Sequence, residues 1–401
     1  MELKKIHISD IGKVVTGKTP RTSIVENYGG DIPFLTPSDD LSYKSVPKTG
    51  KTLTEQGLNE VKNCLLPPHS VCVSCIGTDL GKVVMTSEPT ITNQQFNSII
   101  PNRRFDADFV YYLMTLVGKE LNYLSKTSTA VPIINKSSFS NYEVEVPDLE
   151  TQEKIASILS SLDSKIELNR RINDNLEQQA QALFKSWFVD FEPFKDGEFV
   201  DSELGMIPKG WRVVCLGEVT KQVTEKVGNR EDVTVLSPVN SGELVLSEEY
   251  FTKQVFSKNL SKYLIVNPLS FAYNPARINI GSIGLNEYDF VGCVSPVYVV
   301  FKCEPNYHYF FDFYKRTAVF KDEVALRAIG GVRQSLGYDD FSLIKTIYPT
   351  PDVVAEFNNL YLKMKEVITR NDIQNNKLTT LRDSLLPKLM SGELKINNFN
   401  R

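Results

Sequence analysis

The chain has 401 residues, which at roughly 100–200 residues per domain suggests two to four domains. Hydrophobic residues make up 41% and charged residues 23%, which is ordinary for globular proteins and excludes wholesale disorder and fibrous structure. The formal net charge is −4, so a nucleic-acid-binding function would need local basic patches or positive charge supplied by a partner.

Membrane and secretory signals are missing from the sequence pattern. No apolar run approaches the ~18 residues that a membrane-spanning helix needs, and Met1–Val15 alternates polar and apolar residues without a hydrophobic signal core. The six cysteines are scattered through a long chain, which argues against a disulfide scaffold. These features predict a cytoplasmic protein with no membrane partner.

The first 148 residues are predicted to form a mixed α/β globule. Short β-like runs occur at Ser70–Ile76 and Ile91–Ile100, with turn-forming residues nearby. Asp106–Leu116 has the pattern of an aromatic-rich helix.

A long amphipathic helix is predicted to follow at residues 149–188. Its apolar residues recur in alternating steps of four and three, the heptad pattern of a coiled-coil seam. They are Ile155, Leu159, Leu162, Ile166, Leu176, Ala180, Leu183 and Trp187, with Asn169 and Asn173 at the two central positions. Pro147 and Asp148 mark the start of the helix, where both residue types are favoured.

The second half of the chain repeats the first. After a polar linker at residues 189–207, we predict a second mixed α/β globule at 208–350, a second long helix at 351–392 and a tail at 393–401. Adding 202 to the seam positions gives Phe357, Tyr361, Met364, Ile368, Asn371, Asn375, Leu378, Arg382, Leu385 and Leu389. The two asparagines recur in register, and only Arg382 breaks the apolar pattern.

The repeat extends into the globules, because Ile32–Ser38 resembles Val233–Val239 and Gly77–Lys82 matches Arg277–Ser282. We therefore predict an α+β protein with a pseudo-twofold internal repeat, in which two mixed α/β domains are joined by two long helices that pair with each other. Polar seam residues fix register at some cost in stability, a role that we assign to Asn169, Asn173, Asn371 and Asn375. The competing interpretation is two unrelated surface helices.

Gly12–Thr19 matches the letters of a phosphate-binding loop. Such a loop needs a preceding buried strand and a following helix. Glu2–Asp10 is a poor buried strand, and Pro20 and the residues after it do not look like a helix start. ATP binding is not expected, although an ATP-using enzyme built on Lys18 stays open as an alternative that Lys18→Ala would test.

Two patterns imitate metal and nuclease sites. A structural zinc site needs two ligand pairs, and there is no second pair beside Cys64, His69, Cys72 and Cys75. Asp148, Asp163 and Lys165 can be aligned with a nuclease motif, but we expect Asp163 and Lys165 to be solvated flanks of the heptad helix.

A methyltransferase tetrad is not complete either, because Asn274–Arg277 lacks its second proline and its aromatic residue. The sequence therefore predicts a chain without a catalytic centre, a metal site or a cofactor site of its own.

Several segments resemble the specificity subunit of type I restriction-modification systems. They are Ser186–Pro193, Asp201–Trp211, Leu385–Leu394 and, near the start, Val15–Pro20. The resemblance covers essentially the whole chain, and the stretch from Phe184 to Trp211 is its most specific part.

This resemblance implies a non-catalytic protein with two target recognition domains, each of which reads one half of a bipartite site in double-stranded DNA. It also implies that the long helices pair antiparallel as a coiled coil and set the unread spacer. Two methylation subunits would carry S-adenosylmethionine and methylate adenine, and restriction subunits would use ATP. No cofactor is then expected in this chain.

Base edges are read by amide and guanidinium groups in the major groove, and phosphates are gripped by lysine and arginine. In the first globule these criteria favour Lys18, Thr19, Arg21, Thr78, Lys82, Asn93, Gln94 and Gln95. In the second globule they favour Arg277, Asn279, Arg327, Arg333 and Gln334. Solvated surface or turn chemistry is the alternative for each residue taken alone.

Trp187, Phe188 and Phe191 form an aromatic cluster at the end of the first long helix. They would either pack against the start of the other helix or offer a docking surface for a methylation subunit. The alternative function for the whole chain is a coiled-coil scaffold with two protein-binding globules. The two functions differ in whether basic and amide side chains converge on one face of each globule.

Overall fold

The computed structural model describes residues 1–77, 79–126, 133–251, 253, 255–327 and 335–394. Unit 1 comprises Met1–Ile172 together with the chain from Thr369 onward, and unit 2 comprises Asn173–Ile368. Each unit therefore holds one predicted globule and part of each long helix. This division differs from the predicted one, in which the helices were separate elements, because each part of a helix packs on a globule.

Unit 1 contains short strands and helices followed by the first long helix. They are β1 (Lys4–His7), α1 (Ile8–Ile11), β2 (Gly12–Thr16), β3 (Tyr28–Leu35), β4 (Thr52–Leu53), α2 (Glu55–Val61), β5 (Val71–Ser74), β6 (Val83–Met85), β7 (Ile91–Thr92), β8 (Phe96–Pro101), α3 (Ala107–Lys126), α4 (Lys136–Ser140), β9 (Glu143–Val146) and α5 (Leu149–Phe188). The C-terminal part of α5 lies in unit 2.

The main sheet of unit 1 has the strand order β2-β8-β5-β6, and its neighbouring strands are antiparallel. A second sheet has the order β4-β3-β7, with β3 and β7 parallel. The central strand β5 is buried throughout because both of its faces are covered. Val71 and Val73 join the core that includes α3, whereas Cys72 joins a smaller core with Phe96.

Unit 2 is built from the following elements. They are β10 (Phe199–Val200), β11 (Ile207–Pro208), β12 (Arg212–Cys215), α6 (Leu216–Val219), β13 (Thr220–Val223), β14 (Thr234–Pro238), β15 (Leu244–Leu246), α7 (Ser247–Tyr250), β16 (Leu264–Val266), β17 (Phe271–Tyr273), β18 (Ile283–Leu285), β19 (Gly292–Val294), β20 (Val299–Cys303), α8 (His308–Tyr314), α9 (Ala318–Arg327), α10 (Tyr338–Ser342), β21 (Lys345–Tyr348) and α11 (Pro351–Ser391). The C-terminal part of α11 belongs to unit 1.

The topology of unit 2 repeats that of unit 1 except that its second sheet, with the order β15-β14-β19-β16, has one more strand. The sheet order β13-β20-β17-β18 matches β2-β8-β5-β6, and the parallel pair β14–β19 matches β3–β7. Unusual backbone conformations also recur 200 residues apart: φ is 63° at His69 and 60° at Leu269, and 89° at Gly81 and 93° at Gly281. The pseudo-twofold repeat predicted from the sequence is therefore a repeat of structure, and the α+β fold class is confirmed.

The two long helices run antiparallel within unit 1. Asn169 on α5 contacts Asn375 on α11, and Asp163 six residues earlier contacts Arg382 seven residues later. Apolar side chains continue the seam, with Ile155 and Leu159 in one core with Leu386 and Leu389. Within unit 2, Phe184 and Phe188 of α5 lie 5.8 and 5.2 Å from Phe357 of α11, measured between ring centroids.

The expectation that Asp163 is solvated is wrong. Its side chain is buried, and its carboxylate accepts hydrogen bonds from the Tyr112 hydroxyl at 2.5 Å and from Nη1 of Arg382 at 2.7 Å. Arg382, the residue that interrupts the apolar seam, is the ion partner of this buried carboxylate, and such a partner offsets the cost of removing the carboxylate from water. Lys165 is exposed, as expected for a helix flank.

The other segments that imitate functional motifs also have structural roles. Gly12–Thr16 is strand β2, paired with β8, so the phosphate-loop letters do not form a loop before a helix. The Cys72 and Cys75 thiols are both buried, and burial raises their pKa to about 12 and about 11. Asp148 accepts hydrogen bonds from the backbone N–H and hydroxyl of Thr151, which lower the pKa of the carboxyl and cap the start of α5.

The segment predicted as a linker is packed onto unit 2. Strands β10 and β11 pair antiparallel within it, and the rings of Phe191 and Phe194 lie 5.5 and 5.2 Å from the Trp211 ring. The polar composition of the segment did not predict this packing, because its aromatic residues contact Trp211, which lies outside the segment. No helix among the described residues is long and apolar enough to cross a membrane.

Candidate nucleic-acid interface

The loop after β2 is held against the turn between β7 and β8 in the first globule. The Gly17 backbone N–H donates to the Phe96 carbonyl at 3.1 Å, and the Lys18 N–H donates to the Thr92 carbonyl at 2.9 Å. A side chain at Gly17 would overlap the Asn93 carbonyl, since a Cβ there would lie 2.1 Å from its oxygen. This close approach brings the Lys18 loop and the predicted amide cluster together.

Side chains of the loop and the amide cluster bond directly to each other. The Thr19 hydroxyl donates to Oε1 of Gln94 at 2.7 Å, and Nδ2 of Asn93 donates to Oε1 of Gln95 at 2.8 Å. Asn93 is buried, whereas Gln94 and Lys18 are exposed. Gln94 and Lys18 are therefore the members of this group placed to meet a ligand, and Asn93 and Gln95 shape the turn.

The turn between β5 and β6 joins the same group. The Cys75 N–H donates to the Gln95 carbonyl at 2.7 Å, which ties the end of β5 to the amide cluster. Lys82 follows Gly81 in this turn and is exposed. Thr78 lies outside the described residues, so its predicted role stays a prediction.

Arg21 forms an ion pair with Glu60, a contact that the sequence pattern did not predict. Its Nε and Nη2 donate to Oε1 of Glu60 at 3.0 and 2.7 Å, and its backbone N–H donates to Oε2 at 3.0 Å. These hydrogen bonds lower the pKa of Glu60 to about 2. A phosphate that contacts Arg21 must compete with this carboxylate, which lies 39 residues further along the chain.

Arg277 and Asn279 are exposed on the corresponding turn of the second globule. Gly281 closes the turn with φ of 93°, and the Ser282 hydroxyl donates to the Pro238 carbonyl at 2.8 Å. Arg277 also borders a pocket of about 370 Å³, whose walls include the aromatic side chains Phe251, Phe256, Tyr263 and Tyr298. Within the part of the chain that the structure describes, no carboxylate forms an ion pair with Arg277.

Arg327 is anchored inside unit 2. Its Nη1 donates to Glu323 at 2.6 Å and its Nη2 to the Leu343 carbonyl at 3.3 Å, so the side chain is half-buried at the end of α9. Arg333 and Gln334, predicted beside it, lie outside the described residues. All three assignments stay predictions.

Lys315 stabilises the second globule, a role that the sequence pattern did not predict. Its buried Nζ donates to the carbonyls of Gly242 at 2.5 Å and Ile283 at 3.0 Å, and it pairs with Asp312 at 2.7 Å. Burial lowers the pKa of Lys315, and the Asp312 carboxylate opposes this shift. The available signal was two opposite charges three residues apart beside an aromatic helix.

The aromatic cluster at the end of α5 contacts the other helix within unit 2. The Trp187 and Phe188 rings lie 6.4 and 5.2 Å from Phe357, and Phe191 packs against Trp211. Of the two predicted roles, contact between helices is therefore observed for Trp187 and Phe188. A docking role stays a prediction.

Asn169 donates from Nδ2 to Oε1 of Gln374 at 2.8 Å and to Oδ1 of Asn375 at 2.9 Å. Asn173 and Asn371 are buried as well. These amides lie where polar seam residues specify register in coiled coils, and their effect on register stays a prediction.

Comparison with known proteins agrees with the resemblance read from the sequence. Residues 1–178 match the model of the type I restriction modification DNA specificity domain. The MjaIX specificity subunit of Methanocaldococcus jannaschii is 29% identical, over 99% of this chain and 94% of that protein. The HindI specificity subunit of Haemophilus influenzae is 37% identical, over 42% of this chain and 38% of that protein.

A solved structure shares the fold. The S subunit of a type I restriction-modification system from M. genitalium aligns with a TM-score of 0.55 and 14% identity, over 97% of this chain and 96% of that one. This likeness extends over both units and both long helices, so it concerns the fold of the whole chain. Residues 1–178 thus match the DNA specificity domain, and nearly the whole chain is similar to specificity subunits of type I restriction-modification systems, which determine the DNA sequence that such a system recognises.

Proposed function

We propose that each of the two globules reads one half of a bipartite DNA site and that the two long helices set the number of unread base pairs. The observation that carries this proposal is the repeated topology, because strand order, positive-φ positions and turn positions recur in both units. Two similar reading modules in one chain suit a site with two separately read halves.

Different groups would read the two halves. In the first globule, the exposed amide of Gln94 is suited to adenine, whose major-groove edge offers one donor and one acceptor, and Lys18 and Lys82 are placed for phosphates. In the second globule, the Arg277 guanidinium is suited to guanine or to phosphate. Asn93 and Gln95 would position Gln94 through the hydrogen bonds that shape the turn.

We assign the chemistry to partner subunits. The names of the relatives describe subunits of restriction enzymes, which supports a role for this chain as a non-catalytic part of a larger complex in the cytoplasm. Two methylation subunits would bind S-adenosylmethionine and extrude the target adenine from the helix, and restriction subunits would use ATP. This chain would hold no cofactor itself.

The negative net charge of the chain predicts that the isolated chain binds DNA weakly. With a net charge of −4, phosphate contacts depend on local groups of exposed cations and on charge that the partners supply. A tight, sequence-specific complex of the purified chain alone would contradict this part of the proposal.

Modification-sensitive long-read sequencing of the host genome tests the function directly. We expect a split motif with methyladenine in both halves that disappears when the gene is deleted and returns when it is restored. Persistence of every modified motif, in cells where the partner subunits are expressed, would reject DNA recognition and favour a scaffold with protein-binding globules.

A further inference from the structure

The internal repeat gives the two long helices more than one possible partner. The helices α5 and α11 carry the same heptad seam displaced by 202 residues. Besides the α5–α11 pair seen within unit 1, a second copy of the chain could therefore offer α5 to α5 and α11 to α11. Specific folding needs a feature that penalises these alternatives.

The seam asparagines do not supply that feature. Asn169 on α5 bonds to Asn375 on α11. In the repeat, Asn173 on α5 is equivalent to Asn375 on α11, and Asn169 on α5 is equivalent to Asn371 on α11. Asparagine would therefore face asparagine in every pairing, so these residues can set register but cannot select the partner.

The Asp163–Arg382 pair lies where the repeat breaks. Nη1 of Arg382 donates to Oδ1 of Asp163 at 2.7 Å, and the Asp163 side chain is only 8% exposed. The residue 202 positions before Arg382 is Ala180, and the residue 202 positions after Asp163 is Lys365. Neither member of the ion pair is conserved in the repeat.

Exchanging partners would leave these charges opposed or uncompensated. In an α5–α5 pair, Asp163 would face Ala180 and lose its cation, which is costly for a buried carboxylate. In an α11–α11 pair, Arg382 would face Lys365, and this contact between two cations would occur twice by symmetry. In the α5–α11 pair, by contrast, Asp163 is paired with Arg382, and Lys365 is paired with Glu287.

We propose that Asp163 and Arg382 determine partner choice, so that the seam of α5 is a binding surface for α11 and rejects the α5 helix of a second copy. Lys365 strengthens the selection by repelling Arg382 in an α11–α11 pair. Register and partner choice are thereby assigned to different residues, register to the asparagines and partner choice to the charges.

The test is the oligomeric state of the full chain, measured by sedimentation velocity over a range of concentrations. In Arg382→Glu, the new carboxylate faces Asp163 in the α5–α11 pair but faces Lys365 in an α11–α11 pair. We expect at least about a tenfold decrease in the dimer dissociation constant relative to the unmodified chain. Arg382→Ala removes the native ion pair without creating the new attraction, so it should show no such decrease.

Two further variants separate charge selection from simple destabilisation. Arg382→Glu with Lys365→Glu restores like charges in the α11–α11 pair and should reverse the dimerisation. Both Lys365 variants lose the ion pair with Glu287, but Lys365→Glu keeps the Asp163–Arg382 pair and adds attraction between two α11 helices, so it should dimerise more than Lys365→Ala. If Arg382→Glu does not unfold cooperatively, it is not properly folded. The comparison of Lys365→Glu with Lys365→Ala then tests the proposal in its place.

Three results would overturn the proposal. The first is no increase in dimerisation in either Arg382→Glu or Lys365→Glu when these variants are folded. The second is equal dimerisation of Arg382→Ala and Arg382→Glu. The third is dimerisation that persists when Lys365→Glu is added to Arg382→Glu. None of these readouts depends on DNA recognition, so the outcome is independent of the proposed function.

Discussion

The Tyr112 hydroxyl on α3 donates a hydrogen bond of 2.5 Å to Oδ2 of Asp163 on α5. Because Oδ1 of the same carboxylate accepts from Arg382 on α11, one buried group connects a globule helix to both long helices within unit 1. Burial and the neighbouring carboxylate both raise the pKa of Tyr112, so the phenol stays protonated and donates. The orientation of the first globule on its helices therefore depends on a polar contact as well as on apolar packing.

Tyr112→Phe should destabilise unit 1 by about 1–3 kcal/mol, because a buried carboxylate loses a hydrogen-bond donor. Denaturant unfolding of the full chain, followed by far-UV circular dichroism, measures the change. Tyr142→Phe is the matched control, since the Tyr142 hydroxyl bonds to Glu120 at an exposed site and its loss should cost less. Equal effects of the two substitutions would show that the Asp163 contact contributes no special stability.

Glu60→Gln should strengthen non-specific DNA binding by the assembled complex if Arg21 contacts phosphate. The change removes the carboxylate charge that holds the Arg21 guanidinium. The plot of log binding constant against log salt concentration should therefore become steeper by about one unit of slope, as expected for one additional phosphate contact. Titration of labelled duplex at several salt concentrations measures it. Adding Arg21→Ala should abolish the gain, and a gain that survives in the double variant would remove Arg21 from the interface.

The Arg21–Glu60 pair also predicts a pH dependence. The pKa of Glu60 falls from its ordinary value of 4.5 to about 2 in the folded protein. The stability from this pair is therefore present above pH 4.5 and lost as the pH falls from 4.5 towards 2. The difference in melting temperature between the unmodified chain and Glu60→Gln should shrink across this window, and a difference that stays constant there would contradict the assignment.

Gln94→Ala and Arg277→Ala should relax recognition in different halves of the modified motif. Loss of a bidentate base contact costs about 1–3 kcal/mol of discrimination, so methylation should spread to sites that differ at one position of one half. Long-read sequencing of cells that carry each variant identifies that position. Gln181→Ala, an exposed glutamine on α5, should leave both halves unchanged, and the same relaxed half in both test variants would contradict separate reading modules.

Lys315→Met should destabilise unit 2 by about 3–5 kcal/mol, because it removes one partner of a buried ion pair and leaves Asp312 without one of its two cations. Thermal unfolding measures the loss. The double variant Lys315→Met with Asp312→Leu removes the buried carboxylate as well and should recover part of the stability. A double variant less stable than Lys315→Met alone would argue against this explanation.

Acid stability should depend on the same group. Burial alone would raise the pKa of Asp312, but Lys315 and Arg316 lower it below the ordinary 3.8. Its contribution to stability is therefore present above pH 3.8 and lost as the pH falls through the lowered value. The melting temperature of the unmodified chain should decline more steeply in this acidic range than that of Lys315→Met with Asp312→Leu, and equal slopes would contradict the prediction.

Local patterns in the sequence were sufficient to predict the long helices, the repeat and the resemblance to type I specificity subunits. The heptad spacing predicted a seam whose members, from Ile155 to Leu389, are all buried or half-buried. The match between Gly77–Lys82 and Arg277–Ser282 predicted turns that recur in both units with the same positive φ at the Gly81 and Gly281 positions. Periodicity and turn-forming residues are properties of neighbouring residues, which is why they can be read along the chain.

Contacts between distant segments were decided only by the tertiary structure. Glu60 reaches Arg21 across 39 residues, Arg382 reaches Asp163 across 219, and Lys315 reaches Gly242 across 73. Apart from the three-residue spacing of Asp312 and Lys315, the local sequence does not distinguish these charges from solvated ones. The sequence by itself determined which elements form and that they form twice, whereas the fold decided which charges are paired and buried, because ion pairs depend on distance in space and on exclusion of water.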